Sequence, residues 1–214
     1  KKESRGTYVF LATYANIGIM GQPIIRPLFG NEGVFIAALC NIPINLYVYT
    51  AGVYVMAGGR RGKLFSIKSL LNPPLLGSLA AAAVFLLKIT FPDPVVSAVG
   101  SLGDLTLPLA MLVTGGSLAG LRLKDIFSEP RLYGAAGIRL LIIPLITWLV
   151  LGLFIRDSLW LGVFTVMAAM PSVSTTTALA IAYGGDETAA SRGVFLSTIL
   201  CIVTVPVIVY LLLL

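Results

Sequence analysis

Two polar interruptions in otherwise apolar segments are the places in this sequence where binding chemistry could occur. The first is ANIGIMGQPIIRPLFG (15–30), in which Asn16, Gly21, Gln22 and Pro23 interrupt a hydrophobic run. Side-chain amides offer neutral hydrogen bonds, and a helix that restarts after a break presents free backbone N–H groups at its positive end. This combination favours binding of an anion without requiring a charged side chain.

The second interruption is AMPSVSTTTALAIAYGG (169–185). Pro171 removes a backbone donor from the middle of an apolar segment, and hydroxyl side chains follow at once. The chain contains no histidine, so a Ser–His nucleophile is excluded. We therefore expect binding and no enzymatic activity, cofactor or metal site. The candidate binding residues of this interruption are Pro171, Ser172, Ser174 and Thr175.

The elements that carry these interruptions are predicted to be membrane-spanning helices. Hydrophobic residues make up 57% of the chain and charged residues 11%, which is far from the composition of a soluble domain. Apolar segments of about 20 residues without strand-like alternation span a bilayer as helices. The sequence thus predicts an all-α integral membrane protein with seven spans: A (7–29), B (33–57), C (70–91), D (95–121), E (131–154), F (159–183) and G (188–214).

The distribution of basic residues predicts the orientation of these helices. On the predicted topology, eleven Lys and Arg residues lie on the side of the N-terminus, many of them in a basic linker (58–69), and three lie on the other side. Because basic loops are retained in the cytoplasm, we expect a cytoplasmic N-terminus and an external C-terminus in the cell membrane. The net charge of +6 reflects this bias and gives no reason to expect nucleic-acid binding.

The chain also resembles itself. Phe29-Gly30 precedes GVFIAALCNIPINLYVY, and Tyr183-Gly184 precedes GVFLSTILCIVTVPVIVY with small shifts in the alignment. Segments A and F are five spans apart and would cross the membrane in opposite directions, as in inverted-repeat transporters. The alternative is that each break is only a kink, which membrane helices tolerate.

Two ionisable residues lie deep in predicted spans, where a charge is costly and suggests function. Asp104 in D is a candidate coupling carboxylate or cation ligand, or else a structural partner of Arg139. Arg139 in E either extends its side chain to the cytoplasmic interface or attracts substrate anions. Asn41 and Asn45 in B lie one turn apart, and either pack against A or line a cavity.

Four motifs together resemble the auxin efflux carrier family, which includes PIN-type auxin carriers and bacterial carriers of malate-like organic acids. They are NIGIMGQP (16–23), PLAMLVTGGSL (108–118), RLLIIP (139–144) and the MP…YGGD pattern of segment F (170–171 and 183–186).

This resemblance implies a fold of two inverted five-helix repeats related to the bile-acid-symporter architecture, with two broken helices crossing at the substrate site. The chain would correspond to the fourth to tenth helices: the end of the first repeat (1–57), the linker (58–69) and a complete second repeat (70–214). The first three helices would be absent. By motif position, Asn16 would lie near a substrate carboxylate, and Pro23 and Pro171 would be the crossing prolines.

These observations predict a secondary active transporter of small organic anions, such as carboxylates, that works by alternating access around the crossed helices. The alternative is a seven-helix receptor or sensor of a small ligand, which the number of spans alone would suggest. Coupling to H⁺ or Na⁺, the transport direction and homodimer formation are left open by the sequence.

Overall fold

Helices form all the regular elements of the computed structural model, which describes residues 2–58, 73–105, 108–109, 112 and 127–213. Short π-helical turns, Ile17–Gly21, Val48–Gly52 and Ile138–Ile142, join some of them. The α-helices are α1 (Lys2–Thr13), α2 (Gln22–Tyr47), α3 (Val53–Met56), α4 (Pro73–Leu86), α5 (Asp93–Asp104), α6 (Pro130–Gly137), α7 (Ile143–Gly152), α8 (Ser158–Ala169), α9 (Thr176–Tyr183) and α10 (Glu187–Leu213).

Three helical stretches within the described residues are long and apolar enough to cross a membrane. They are Ile17–Met56, Pro130–Gly152 and Glu187–Leu213, of 40, 23 and 27 residues. Helix α8 is apolar but shorter, and its first turn is capped by the Asp157 carboxylate, which accepts from the Leu159 N–H at 2.8 Å. These helices support the prediction that the chain is a membrane protein. The number of seven spans stays a prediction from the sequence.

The stretch Ile17–Met56 is divided by a kink at Gly30. A straight helix of this length would extend about 60 Å, roughly twice the hydrocarbon thickness of a bilayer. Gly30 has φ 63° and ψ −160°, a backbone conformation that interrupts α2 at this point. Segments A and B were expected to be separate, and the structure separates them by this single residue instead of a loop.

Part of the predicted topology lies outside the described residues. Most of the basic linker (58–69), the first residues of segment C and most of segment D beyond Asp104 fall there, together with most of the motif at 108–118. Helix α4 covers the described part of C, and α5 covers the first part of D. Segments E, F and G correspond to α6–α7, α8–α9 and α10.

The core lies where the two interrupted segments meet. Helix α10 contacts α1, α6, α8 and α9, so it supports both interruptions. Small residues permit this close packing: a Cβ atom at Gly193 would lie 2.4 Å from Leu11 Cδ1, and one at Gly162 would lie 2.6 Å from Phe29 Cζ. Met170, Val166 and Ile25 are buried together beside the crossing.

Candidate functional site

The two interruptions pair with each other. Ala15 and Ser172 form an isolated antiparallel bridge. The backbone N–H of Asn16 donates to the Pro171 carbonyl at 2.8 Å, and the N–H of Val173 donates to the Tyr14 carbonyl at 3.1 Å. Unpaired backbone groups at membrane depth are costly. Each break thus supplies the hydrogen-bonding partners that the other requires.

Local sequence explains where each helix stops. Met170 precedes a proline and adopts an extended conformation, with φ −65° and ψ 147°, so α8 ends at Ala169. In the other segment α1 ends at Thr13, and Asn16 begins the next helix with φ −84° and ψ 63°. The N–H groups of Met20 and Gly21 both donate to the Asn16 carbonyl at 3.2 Å, which produces the π-helical turn.

The two prolines of the motifs hold different positions in the structure. Pro171 lies in the paired segment, whereas Pro23 lies in the first turn of α2, after the helix has restarted. The residue opposite Ser172 is Ala15. The equivalence of Pro23 and Pro171, which the family resemblance implied, does not extend to their places at the crossing.

The side chains of Asn16 and Ser172 form hydrogen bonds between the two interrupted segments. The Asn16 Nδ2 atom lies 2.9 Å from the Ser174 Oγ atom, and Asn16 is only 2% exposed. The Ser172 hydroxyl donates to the Leu11 carbonyl at 2.7 Å, and its N–H donates to the Ser197 hydroxyl at 3.2 Å. Both donor groups of Ser172 therefore bond within the protein and the residue is 2% exposed, so it joins the two segments and is not accessible from the surface.

A cavity of about 710 Å³ opens beside the crossing. Of the predicted binding residues, Asn16, Gln22, Pro23 and Thr175 line it, and Ser174 is joined to it through Asn16. Gly21, Pro171 and Ser172 are buried and are not among its lining residues. Asn41 and Asn45 also line it.

Both helices that restart after a break have their N-terminal ends at this cavity. Residues Ile17–Ile19 of the first turn line it on one side, and Thr175, which precedes α9, lines it on the other. The first N–H groups of a helix have no acceptor within the helix. Asn16 and Thr175 occupy the two N-cap positions, and in the described structure neither side chain makes a capping hydrogen bond.

Two oppositely charged residues, Arg26 and Asp104, are also among the described residues that line the cavity. Arg26 lies one turn beyond Gln22, and Asp104 is at the end of α5. Sequence reasoning identified Asp104 but missed Arg26, although its spacing of four residues from Gln22 places both on one helix face. Asp104 and Arg139 form no ion pair in the described structure, so the interpretation of Asp104 as a structural partner of Arg139 is not supported.

Arg139 lies on the other side of the crossing and is 2% exposed. Its guanidinium donates to three backbone carbonyls: Nε to Met170 at 2.9 Å, Nη1 to Thr13 at 3.0 Å and Nη2 to Ala168 at 2.6 Å. It does not line the 710 Å³ cavity. The side chain neither extends to an interface nor faces the cavity, which differs from both interpretations drawn from the sequence.

Comparison with known proteins agrees with a transport function. Residues 60–209, more than half of the chain, match the family described as membrane transport protein. An "Uncharacterized transporter" of Methanothermobacter thermautotrophicus is 28% identical over 91% of this chain and 64% of its own length. A second protein of that description, from Methanocaldococcus jannaschii, is 26% identical over 92% of this chain and 65% of its own length.

A third relative carries a substrate in its name. The "Putative malonate transporter" of Rhizobium meliloti is 26% identical over 94% of this chain and 65% of its own length. The chain therefore spans 64 to 65% of the length of these three relatives. The family and the relatives are transport proteins, which agrees with the expectation that the chain is not an enzyme.

Proposed function

Because the chain belongs to the membrane transport protein family, the family of the auxin efflux carriers, we propose that it forms most of a secondary active transporter of small organic anions. In this proposal it corresponds to the fourth to tenth helices of an inverted-repeat carrier, with α1–α2 and α8–α9 as the two broken crossing helices. Alternating access takes place around this crossing.

One observation carries the proposal: two helix N-termini without side-chain caps open on the same cavity. Each N-terminus carries a partial positive charge of about half a unit, and those first-turn N–H groups that have no acceptor bind anionic oxygens; the Thr176 N–H is excluded, because it donates to the Val173 carbonyl. Asn16, Gln22 and Thr175 add neutral hydrogen-bonding groups around the same volume. A carboxylate satisfies these donors without a fixed countercharge, which lets it leave the site again.

The size of the cavity and its mixed apolar and polar lining favour organic acids over small inorganic anions. A volume of about 710 Å³ exceeds what a small dicarboxylate requires and admits a larger acid as well. Arg26 offers a second positive group for a second carboxylate or for attraction of the substrate. The relative named as a malonate transporter makes malonate the first substrate to test.

Asp104 is the candidate for ion coupling. Its carboxylate lines the same cavity as the anion-binding groups, so a bound anion and an ionised Asp104 repel each other. Protonation of Asp104, or a cation bound to it, removes this repulsion and links substrate binding to the ion. The neutral variant Asp104→Asn is then expected to retain substrate exchange while losing dependence on pH or on the cation.

The arrangement of repeats supports the inverted topology. Gly30 and Gly184, which align in the sequence comparison of the two halves, both have positive φ values, 63° and 78°, although their ψ values differ, −160° and 31°. Each follows one of the two interrupted segments. The distribution of basic residues is the separate reason for which we place the N-terminus of the chain in the cytoplasm and its C-terminus outside the cell membrane.

The deciding experiment is counterflow of labelled malonate in proteoliposomes that contain the protein encoded by the complete gene. We expect saturable uptake that unlabelled carboxylates inhibit and that is reduced at least several-fold in Asn16→Ala and in Pro171→Ala. Uptake that is unchanged by both substitutions would contradict a binding site at the crossing. Binding of a labelled acid without any translocation would favour the receptor or sensor function instead.

A further inference from the structure

Arg139 makes contacts that a substrate-binding arginine would not make. Its three donor nitrogens are directed to carbonyl oxygens at 2.6 to 3.0 Å, and these oxygens belong to Thr13, Ala168 and Met170. The side chain is 2% exposed. Within the described residues it has no acidic partner, and the groups that face its charge there are backbone carbonyl dipoles.

The three carbonyls lie at the C-terminal ends of two helices. Thr13 is the last residue of α1, and Ala168 and Met170 flank the end of α8. The last four carbonyls of a helix have no N–H partner within it, and together they carry a partial negative charge of about half a unit. Two such ends converge on one guanidinium.

Carbonyl oxygens gathered from broken helices are the ligands that transporters of this general type offer to a coupling cation, and hard cations take oxygen ligands of this kind. Here the carbonyl oxygens of Thr13, Ala168 and Met170 already bind the positively charged side chain of Arg139. The planar guanidinium fork can reach carbonyls on both helices at once, which a point charge does less well.

We propose that Arg139 is the resident cation of the crossing: its guanidinium occupies the carbonyl set at which a bound Na⁺ would otherwise be needed to hold α1 and α8 together. Arg139 is thus a positioning residue, which links segment E to both interrupted segments. The carrier then requires no alkali cation at this point, and any coupling ion acts elsewhere. The inference rests on the proposed function only for its transport readout.

The direct test is to remove the resident cation and to supply a free one. In the purified full-length protein, Arg139→Ala should unfold at a temperature several degrees lower than the wild type. Millimolar guanidinium, far below denaturing concentration, should then raise the unfolding temperature of Arg139→Ala saturably, and Na⁺ should do so more weakly. Wild-type protein should show neither increase, and choline chloride serves as the ionic-strength control.

A matched control is available in Arg192. This arginine of α10 is half-buried, and its Nε atom has no hydrogen-bond partner among the described residues. Arg192→Ala should gain no response to guanidinium. An equal response in Arg192→Ala, or no response to either cation in Arg139→Ala, would overturn the proposal.

A second pair of variants covers the case in which Arg139→Ala does not fold. Arg139→Lys retains a cation and Arg139→Gln retains hydrogen-bond donors without charge. We expect the unfolding temperature of Arg139→Lys to lie above that of Arg139→Gln, and only Arg139→Gln to be stabilised by added Na⁺. Equal behaviour of the two variants would show that charge is irrelevant and would overturn the proposal.

Transport gives an additional readout. Malonate counterflow by the Arg139→Ala variant should recover several-fold on addition of guanidinium, whereas the wild-type rate should not change. If no substrate is transported even by the wild type, the proposed function fails. The unfolding measurements still decide the role of Arg139, because they require no substrate.

Discussion

The side-chain amide of Asn16 and the hydroxyl of Ser174 lie 2.9 Å apart across the crossing of the two interrupted segments. The two residues are 158 positions apart in the chain, and this hydrogen bond joins the N-terminal ends of both restarted helices. Asn16 also lines the 710 Å³ cavity. A change at either residue therefore affects both the crossing and the proposed anion site.

We expect Asn16→Ala and Ser174→Ala each to reduce kcat/KM for carboxylate counterflow by about fivefold, because a hydrogen bond to a partly buried polar group contributes about 1 kcal/mol. In the double variant the losses should not add, since either substitution already removes the shared hydrogen bond. Ser101→Ala is the control, because the exposed Ser101 hydroxyl donates to the Ser97 carbonyl of its own helix and has no other hydrogen bond among the described residues. Fully additive losses would show that the two residues act independently.

Pro171 and Pro206 allow the effect of a proline in a break to be compared with that of a proline in a continuous helix. Replacing Pro171 by alanine relaxes the restriction on Met170, so α8 can extend into the paired segment and withdraw the Pro171 carbonyl from Asn16. Pro206 lies inside α10, which continues past it. We expect transport to fall at least tenfold in Pro171→Ala and to change less than twofold in Pro206→Ala.

Hydrogen exchange provides the structural measurement for these two variants. Amides between 167 and 175 should exchange differently in Pro171→Ala, because the segment changes its hydrogen-bonding partners, whereas Pro206→Ala should leave them unchanged. A transport defect of the same size in both variants would mean that general helix stiffness matters and that the break does not.

Gly30 should resist substitution for reasons of backbone conformation alone. Its φ of 63° and ψ of −160° lie in a region that only glycine occupies readily, although a Cβ atom there would meet no neighbour within 4 Å. Gly30→Ala should destabilise the protein by about 1–3 kcal/mol. Gly100→Ala, at an equally open but helical position of α5, should stabilise it by about 0.5–1 kcal/mol. Thermal unfolding in detergent checks both signs.

The locations of the two breaks could be predicted because their causes are local. Pro171 lacks an N–H whatever surrounds it, and Asn16 competes for the backbone of its own turn. Which residues pair across the crossing depends on the relative placement of two segments about 155 residues apart, and no local rule contains that information. Ala15 was therefore not predicted as the residue opposite Ser172.

The hydrogen-bond partners of individual side chains could not be predicted from the sequence. Ser172 belongs to a hydroxyl-rich run and was expected to bind ligand, but its hydroxyl donates a hydrogen bond to the Leu11 carbonyl. Arg139 was expected to reach water or substrate. Its actual partners are helix-end carbonyls, which have no signature in the sequence because every residue carries one.

Leu11 and Gly193 form a packing pair that can be tested by compensation. Because a Cβ atom at position 193 would lie 2.4 Å from Leu11 Cδ1, Gly193→Ala should displace Leu11 and cost about 1–3 kcal/mol. Leu11→Ala should cost about 2–5 kcal/mol through the cavity that it leaves. The double variant should be less destabilised than the sum, because the smaller side chain leaves room for the new methyl group. If the loss of stability in the double variant equalled the sum of the losses in the two single variants, the close contact between Leu11 and position 193 would be contradicted.

Arg26 is expected to attract the substrate anion, since it lines the cavity and lies one turn beyond Gln22. Its side chain is exposed, and exposed charges contribute about 0.5–1 kcal/mol, so Arg26→Gln should raise KM about threefold with little change in kcat. The dependence of KM on ionic strength should weaken as well, because the charge that salt screens in the wild type is absent from the variant.

Arg156→Gln is the matched control. Arg156 is also exposed and is predicted to lie on the same side of the membrane, but it is not among the residues that line the cavity. If Arg156→Gln raised KM as much as Arg26→Gln, the change in KM would result from the general surface charge. Arg26 would then not belong to the proposed site.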